Sequence, residues 1–290
     1  MKKFIILIPV YNDWKSVSKL LKEIDLQIIE WESEVSVLII NDGSTEKRLS
    51  MDSNFKNIKS VKVLNMKRNQ GHPRCLIVGF RYITEKENFD YVIPMDADGE
   101  DRPEELNLLF NKSKEHPNKV ITADRIKRSE GLLFKFCYEI HKYLTYIFTG
   151  HLIKFGNYSC LPRDSVAKMT KEPSAWSSFS GSLTKLIPDR ISISSTKGLR
   201  YYGPSRMSFF NLLIHSFSII AVFKKTVFLR SFIFLPVYLL LIFQSLSFIT
   251  LLPVFLIVIL LFAIIWVSNR ENLDQFNKSL DNISSIDSVN

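Results

Sequence analysis

Met95-Asp96-Ala97-Asp98-Gly99-Glu100-Asp101 follows Asp90-Tyr91-Val92-Ile93-Pro94, a short apolar run that reads as a buried strand, and precedes Arg102-Pro103-Glu104-Glu105-Leu106. Proline at the first helical position and two acids in the first turn open a helix there. Carboxylates therefore gather at the carboxyl end of a strand, the edge of an α/β sheet where ligands bind. Asp96, Asp98 and Glu100 are spaced so that they can converge on one hard cation through oxygen ligands. A solvated acidic turn has the same local sequence, so the rest of the chain decides between the two readings.

The same kind of edge recurs upstream. Residues 3–10 read as a buried strand stopped by Pro9 and the polar Tyr11-Asn12-Asp13 turn; Val17, Leu20, Leu21, Ile24 and Ile28 then recur at helical spacing over residues 14–29. The apolar start is too short for a signal peptide and has no small-residue cleavage site, which favours a first strand. A second strand at 35–40 runs into Asn41-Asp42-Gly43-Ser44-Thr45, a turn able to start a helix. Strands are further predicted at 60–65 and 119–123, and helices at 73–85 and 103–116. This alternation predicts an α/β fold with a mostly parallel sheet and a nucleotide-type crevice at its carboxyl edge. Residues 131–150 read as an unusually aromatic helix, packed into the core by default or touching lipid as the sharper option. Residues 156–163 read as a strand entering a short helix, and 191–202 as an extended strand pair.

The chain has 290 residues and a net charge of +9. It carries no basic stripe interleaved with aromatics and no recognition motif, so no nucleic-acid partner is expected; an anionic lipid surface or anionic substrates explain the balance. Cys75, Cys137 and Cys160 form no Cys-x-x-Cys pair and predict free thiols in a reducing compartment. The histidines lack metal-ligand spacing and are expected to be structural.

Residues 232–267 contain no charged side chain, a stretch too long for a single span of about 20 residues. It divides into spans at 232–249 and 251–267, with a turn near Thr250 and Pro253. Lys224, Lys225 and Arg230 precede it and Arg270 follows, which puts both flanks in the cytoplasm. The expected organisation is an α/β domain over 1–206, a juxtamembrane amphipathic helix over 207–226, two transmembrane helices over 227–268 and a polar, disordered tail over 269–290. Two spans suit a monomer or a homo-oligomer equally.

Three strand-end turns thus share one edge, and Asn69-Gln70-Gly71 lies between the second and third. With Pro9-Val10-Tyr11-Asn12-Asp13, an Asp-Gly-Ser turn at 42–44, the Asn-x-Gly segment and the Asp-x-Asp motif in order, residues 4–125 resemble the family 2 glycosyltransferases of the GT-A fold. Ala123-Asp124-Arg125, Gly156-Asn157-Tyr158 and Arg200-Tyr201-Tyr202-Gly203-Pro204-Ser205-Arg206, followed by the apolar segments, look like the polyprenyl-phosphate branch, which includes dolichyl-phosphate mannose synthase and bacterial lipid-linked glucosyl transferases. The resemblance implies that Pro9, Tyr11 and Asp13 contact a nucleotide sugar and that Ile40 and Asp42 line its base and ribose pocket. Asp96, Ala97 and Asp98 would meet the diphosphate, with Asp96, Asp98 and Glu100 holding Mg²⁺ or Mn²⁺. Arg125, Arg200 and Arg206 would neutralise phosphates, so that Asp96, Asp98, Arg200 and Arg206 form the catalytic set. Asn41 departs from the family's usual Asp, Asp13 from Glu, Glu100 from Gln, Arg206 from Lys, and Asn157 from the Asp of a Gly-Asp pair.

The implied activity is an inverting transfer of a hexose from a nucleotide-diphospho-sugar to a polyprenyl phosphate of undecaprenyl or dolichyl type at the cytoplasmic membrane face. Between His151 and Tyr201 the acids are Asp164, Glu172 and Asp189, isolated from one another, so no acidic pair offers itself as a general base. A lipid phosphate, with a second pKa of about 6, is largely ionised at neutrality and needs none. This favours a phosphate acceptor over the alternative, a sugar hydroxyl of a lipid-linked glycan or polysaccharide precursor. A role for Asp101 stays open, as does a catalytically silent membrane scaffold that binds a partner or a nucleotide sugar.

Overall fold

The computed structural model describes residues 1–49, 54–127, 132–204 and 208–289, without the side chains of 126–127, 132–138 and 209. The elements run β1 (Lys2–Val10), α1 (Trp14–Gln27), β2 (Ser33–Asn41), β3 (Ile58–Met66), α2 (His72–Lys86), β4 (Tyr91–Pro94), α3 (Leu106–Glu115), β5 (Val120–Lys127), α4 (Leu132–Thr149), β6 (Phe155–Pro162), α5 (Arg163–Met169), α6 (Phe179–Leu186), β7 (Arg190–Thr196), α7 (Phe209–Ala221), α8 (Lys224–Ile242), α9 (Phe248–Ser268), α10 (Leu273–Asn277) and β8 (Ile283–Ser288). One sheet of order β7-β5-β6-β4-β1-β2-β3-β8 forms the spine.

Its centre, β4-β1-β2-β3, is parallel throughout, as the alternation of strands and helices predicts. Both faces are covered. Phe4, Ile6, Ile8 and Val10 of β1 join Val17, Leu20, Leu21 and Ile24 of α1 in one core, while Ile5 and Leu7 join Leu76, Phe80 and Ile83 of α2 in the other. Side chains of a strand alternate between faces, so a strand buried on both sides reads as an unbroken apolar run, which is how residues 3–10 look. Where the chain leaves the parallel pattern, β6 enters antiparallel to β4 and β5.

Two expectations need correction. Residues 191–202 do not form a strand pair: β7 ends at Thr196, and the following segment crosses the acidic turn, with Gly198 N–H donating to Glu100 O at 2.8 Å and Tyr201 N–H to Asp98 O at 2.9 Å. The tail is not disordered. Phe276 is buried, Leu280 and Ile283 pack on the α2-side core, and β8 adds antiparallel to β3 from Met66↔Ile283 to Lys62↔Ser288. A polar average over 269–290 hid three apolar anchors, and β3 otherwise presents an unpaired edge.

The helices after β7 are long and apolar. Lys224–Ser245 and Phe248–Ser268 each have the length and composition to cross a membrane, since about 20 residues at 1.5 Å per residue match a hydrocarbon core of about 30 Å. The turn between them falls at 243–247, earlier than the sequence suggests, because Ser247 and Thr250 form a reciprocal capping box that starts α9. Pro253 lies inside α9. Lys224 Nζ donates to Ser268 Oγ at 2.6 Å and lies 3.2 Å from Glu271 Oε2, so the start of α8 and the end of α9 meet at one end of the hairpin. Phe148 of α4, Ile220 and Ala221 of α7, and Leu260 and Ile264 of α9 share a core, while Tyr143 and Ile147 on α4 face outward. The aromatic helix is thus two-faced, with packing on one side and an exposed apolar surface on the other.

A candidate active site at the carboxyl edge of the sheet

The β1–β2 register pairs Val10 with Asn41, and the β1–β4 register pairs Leu7 with Pro94, so the turns after all three strands open on one edge. Asn12, in the left-handed region at φ 50, ties the first two turns together. Its amide oxygen accepts Thr45 N–H at 2.8 Å and Glu46 N–H at 3.0 Å, and its own N–H donates to Ser44 Oγ at 2.9 Å. Asp42 is buried and accepts Gln70 N–H at 2.6 Å and Gly71 N–H at 2.9 Å. Burial raises its pKa against the pull of those two bonds. Asp42 therefore fixes the Asn69-Gln70-Gly71 turn. Pro9 and Ile40 stand opposite one another in the register at this edge, and both are buried. Tyr11 is exposed at that edge.

In the acidic turn, Asp98 Oδ1 accepts Glu100 N–H at 2.9 Å. Gly99 has φ +86, the left-handed region that glycine adopts at little cost. A Cβ there would lie 2.6 Å from the Tyr201 ring, so the residue also has to be small. The turn sends Glu100 sideways to Lys197, 3.0 Å away, and tucks Asp101 underneath. Asp101 is buried, accepts Asp96 N–H at 2.9 Å, and receives Arg125 Nη2 at 3.0 Å. Burial, then the charge of Asp96, push Asp101 up to about 6, while Arg125 pulls the other way. Burial and the neighbouring Asp98 likewise bring Asp96 to about 6. Asp101 is thus a clamp between the turn and Arg125.

Arg200 bridges two of the turns, bonding Asp98 Oδ2 and lying 3.2 Å from Asp13 Oδ2. Its Nε is buried without a hydrogen-bond partner among the described residues. Arg206 lies outside the described residues. Sequence reasoning missed His72, whose Nε2 is 3.0 Å from Asp96 Oδ1, with Asn157 Nδ2 3.4 Å from the same oxygen. Burial lowers the His72 pKa, favouring the neutral ring beside Asp96. The search for metal-ligand spacing could not find it; its place at the first position of the helix after Asn69-Gln70-Gly71 was the available signal. Cys75 and Cys160 are free and buried, as expected, and the Cys137 side chain is outside the described set.

Among the described residues no three ligand-type side chains form a metal cluster; Glu100 is paired with Lys197, as Asp98 is with Arg200. The set still fits a divalent ion of the Mg²⁺ kind, which commonly takes one or two carboxylates and completes its shell with substrate phosphates and water. Two carboxylates whose mutual charge raises a pKa, beside an arginine with an unsatisfied N–H, suit a cation and the anion that accompanies it.

A family model described as glycosyl transferase family 2 matches residues 5–169. The undecaprenyl-phosphate 4-deoxy-4-formamido-L-arabinose transferase of Klebsiella pneumoniae (strain 342) is 30% identical over 166 residues, 56% of this chain and 48% of that protein. The chain thus spans about half the length of the curated relatives it matches. Among solved structures, the glucosyl-3-phosphoglycerate synthase of Mycobacterium tuberculosis in complex with Mn²⁺, uridine-diphosphate-glucose and phosphoglyceric acid has a TM-score of 0.55 at 12% identity, covering 78% of this chain and 80% of that one. The mannosyl-3-phosphoglycerate synthase of Rubrobacter xylanophilus also has a TM-score of 0.55 at 12% identity, covering 79% and 75%. At such identities the likeness establishes the fold, the GT-A architecture with its mostly parallel sheet.

Proposed function

Since the chain belongs to glycosyl transferase family 2, we propose that it is a membrane-anchored, inverting, metal-dependent transferase that moves a hexose from a nucleotide-diphospho-sugar to a polyprenyl phosphate at the cytoplasmic face. One observation carries the reading: a cleft of acids and arginines belongs to the same body as an apolar hairpin, through the core shared by α4, α7 and α9. A soluble acceptor gives that attachment no use, whereas a lipid-linked one has to be met at the membrane. The curated relatives, named for undecaprenyl phosphate, support the same acceptor.

In this reading Asp13 and Tyr11 contact the nucleotide, while Pro9, Ile40 and Asp42 act from behind by holding the turns. Asp96, with Ala97 and Asp98, meets the donor diphosphate, and Asp96 and Asp98 hold Mg²⁺ or Mn²⁺. Bound there, the ion supplies countercharge for the departing nucleoside diphosphate. Arg200 adds guanidinium donors on the same side. Arg125, fixed by Asp101, and Arg206 neutralise the acceptor phosphate. An oxygen of the lipid phosphate attacks the anomeric carbon, the new C–O bond forms as the bond to the diphosphate breaks, and configuration inverts. No base is required, which accords with two of the three acids between His151 and Tyr201 being engaged elsewhere: Glu172 with Ser174 and Lys185, Asp189 with Lys119. Lys224, Lys225, Arg230 and Arg270 at the hairpin's ends favour a cytoplasmic catalytic domain.

The test is to incubate membranes containing the protein with a panel of labelled nucleotide sugars, polyprenyl phosphate and Mg²⁺ or Mn²⁺. Label should enter an acid-labile lipid fraction for one donor and disappear with a chelator. Label that stays in the aqueous phase for every donor, with the protein folded, contradicts the proposal.

A further inference from the structure

The polar segment after the membrane hairpin is wired to the nucleotide side of the cleft. Asp287 on β8 offers one oxygen, Oδ2, to Asn65 Nδ2 at 3.1 Å and to Arg48 Nη1 at 2.8 Å. Asn65 Oδ1 accepts Asn41 Nδ2 at 2.9 Å, and Asn41 Oδ1 accepts Ser44 N–H at 3.0 Å. Ser44 Oγ in turn receives Asn12 N–H at 2.9 Å, and Ser285 Oγ receives a second bond from Asn65 Nδ2 at 2.9 Å. The order of donors and acceptors matters. A carboxylate only accepts, so Asp287 compels Asn65 to present its NH₂; that leaves the Asn65 oxygen for the Asn41 NH₂, and the Asn41 oxygen for the turn. Without Asp287 either amide can rotate by half a turn and the Ser44 N–H loses its partner. The chain also accounts for Asn41 standing where the family usually has Asp, since a carboxylate at 41 has no hydrogen to give Asn65.

We infer that Asp287 is a positioning residue for donor binding, and that β8, beyond the membrane hairpin, is a working part of the nucleotide pocket. The inference rests on the reading above, in which the 41–45 turn walls that pocket. Full-length protein in detergent is titrated calorimetrically with UDP, GDP and dTDP, each with Mn²⁺. For the nucleotide that the wild type binds, Asp287→Ala should raise Kd about tenfold, the worth of one hydrogen bond to a charged group. Asn41→Asp should do the same from the other end, and the double variant should be little worse than either single one, because both break one chain. Asp287→Asn should recover affinity to within about twofold: one carbonyl oxygen can serve both Asn65 and Arg48, and the lost surface charge pair is worth little. In turnover assays the donor KM should rise while the acceptor KM and the melting temperature hold. Unchanged Kd in Asp287→Ala and Asn41→Asp overturns the inference alone. Additive losses, or no recovery in Asp287→Asn, overturn the relay. Failure of the wild type to bind any of the three removes the donor-pocket reading and the inference with it.

Discussion

Gly99 concentrates the demands on the acidic turn in one residue. The Tyr201 ring that blocks any Cβ there donates from its hydroxyl to Glu23 and has Lys19 Nζ 4.2 Å from its centroid, so it cannot simply swing away. Gly99→Ala combines positive-φ strain of about 1 kcal/mol with displacement of Tyr201 and, through the backbone, of Arg200. Transfer should fall at least about tenfold with secondary structure by circular dichroism unchanged, a loss of about 1.4 kcal/mol in transition-state binding. Asp98→Asn removes a proposed metal ligand and should cost on the order of a hundredfold or more in transfer; full transfer activity in that variant contradicts the metal role, and an unaltered cellular phenotype with transfer lost favours the silent-scaffold reading. Asp96 and Asp98 were legible because an i, i+2 spacing after a buried strand constrains where both side chains go. The pairing of Glu100 with Lys197 and the burial of Asp101 against Arg125 were not legible, because the sequence does not state that the chain turns at Gly99 through φ +86. His72 became visible once the end of β4 and the start of α2 were brought together.

At the level of elements, the short helical turn Pro173–Trp176 leads into α6, which packs beneath α7, and Glu172 caps it. Burial raises the Glu172 pKa, but the Ser174 hydroxyl, Lys185 and the Ser174 N–H outweigh it, so the folded-state value lies below the usual 4.5. A depressed carboxylate contributes stability above its unfolded pKa and loses it as pH falls through the folded value. Glu172→Gln should therefore lower stability at pH 7 by about 1–2 kcal/mol, discounting the half-exposed Lys185. Thermal melts should show the gap to wild type closing below about pH 4; a gap that persists there means that shape, and not charge, is what Glu172 supplies. The central strands and their helices were legible because period-2 and period-3.6 patterns survive in a sheet covered on both faces. The β8 strand and the unpaired segment after Thr196 were not. One depends on a distant edge needing a partner, the other on Gly198, where a Cβ would collide with the Gly99 carbonyl oxygen.

For the molecule as a whole, β8 pairs with β3 in the catalytic sheet, so the chain that leaves through α8 has returned by the end of α9 to the side it left. That return requires an even number of crossings. A cysteine replacing Leu246 in the hairpin turn should be labelled only from outside the cell, and one replacing Asp281 only from the cytoplasmic side; labelling of both from one side contradicts two spans. The charge-free run made the hairpin legible in the sequence, while the place of its turn depended on the cap at Ser247. A membrane anchor is compatible with a sugar hydroxyl as acceptor as well as with a phosphate, so the acceptor is the claim to test directly. Purified protein is given its nucleotide sugar, Mn²⁺ and polyprenyl phosphate alone, and the lipid product is weighed by mass spectrometry. The account predicts polyprenyl phosphate plus one hexosyl residue; no product until a glycan acceptor is added would contradict it.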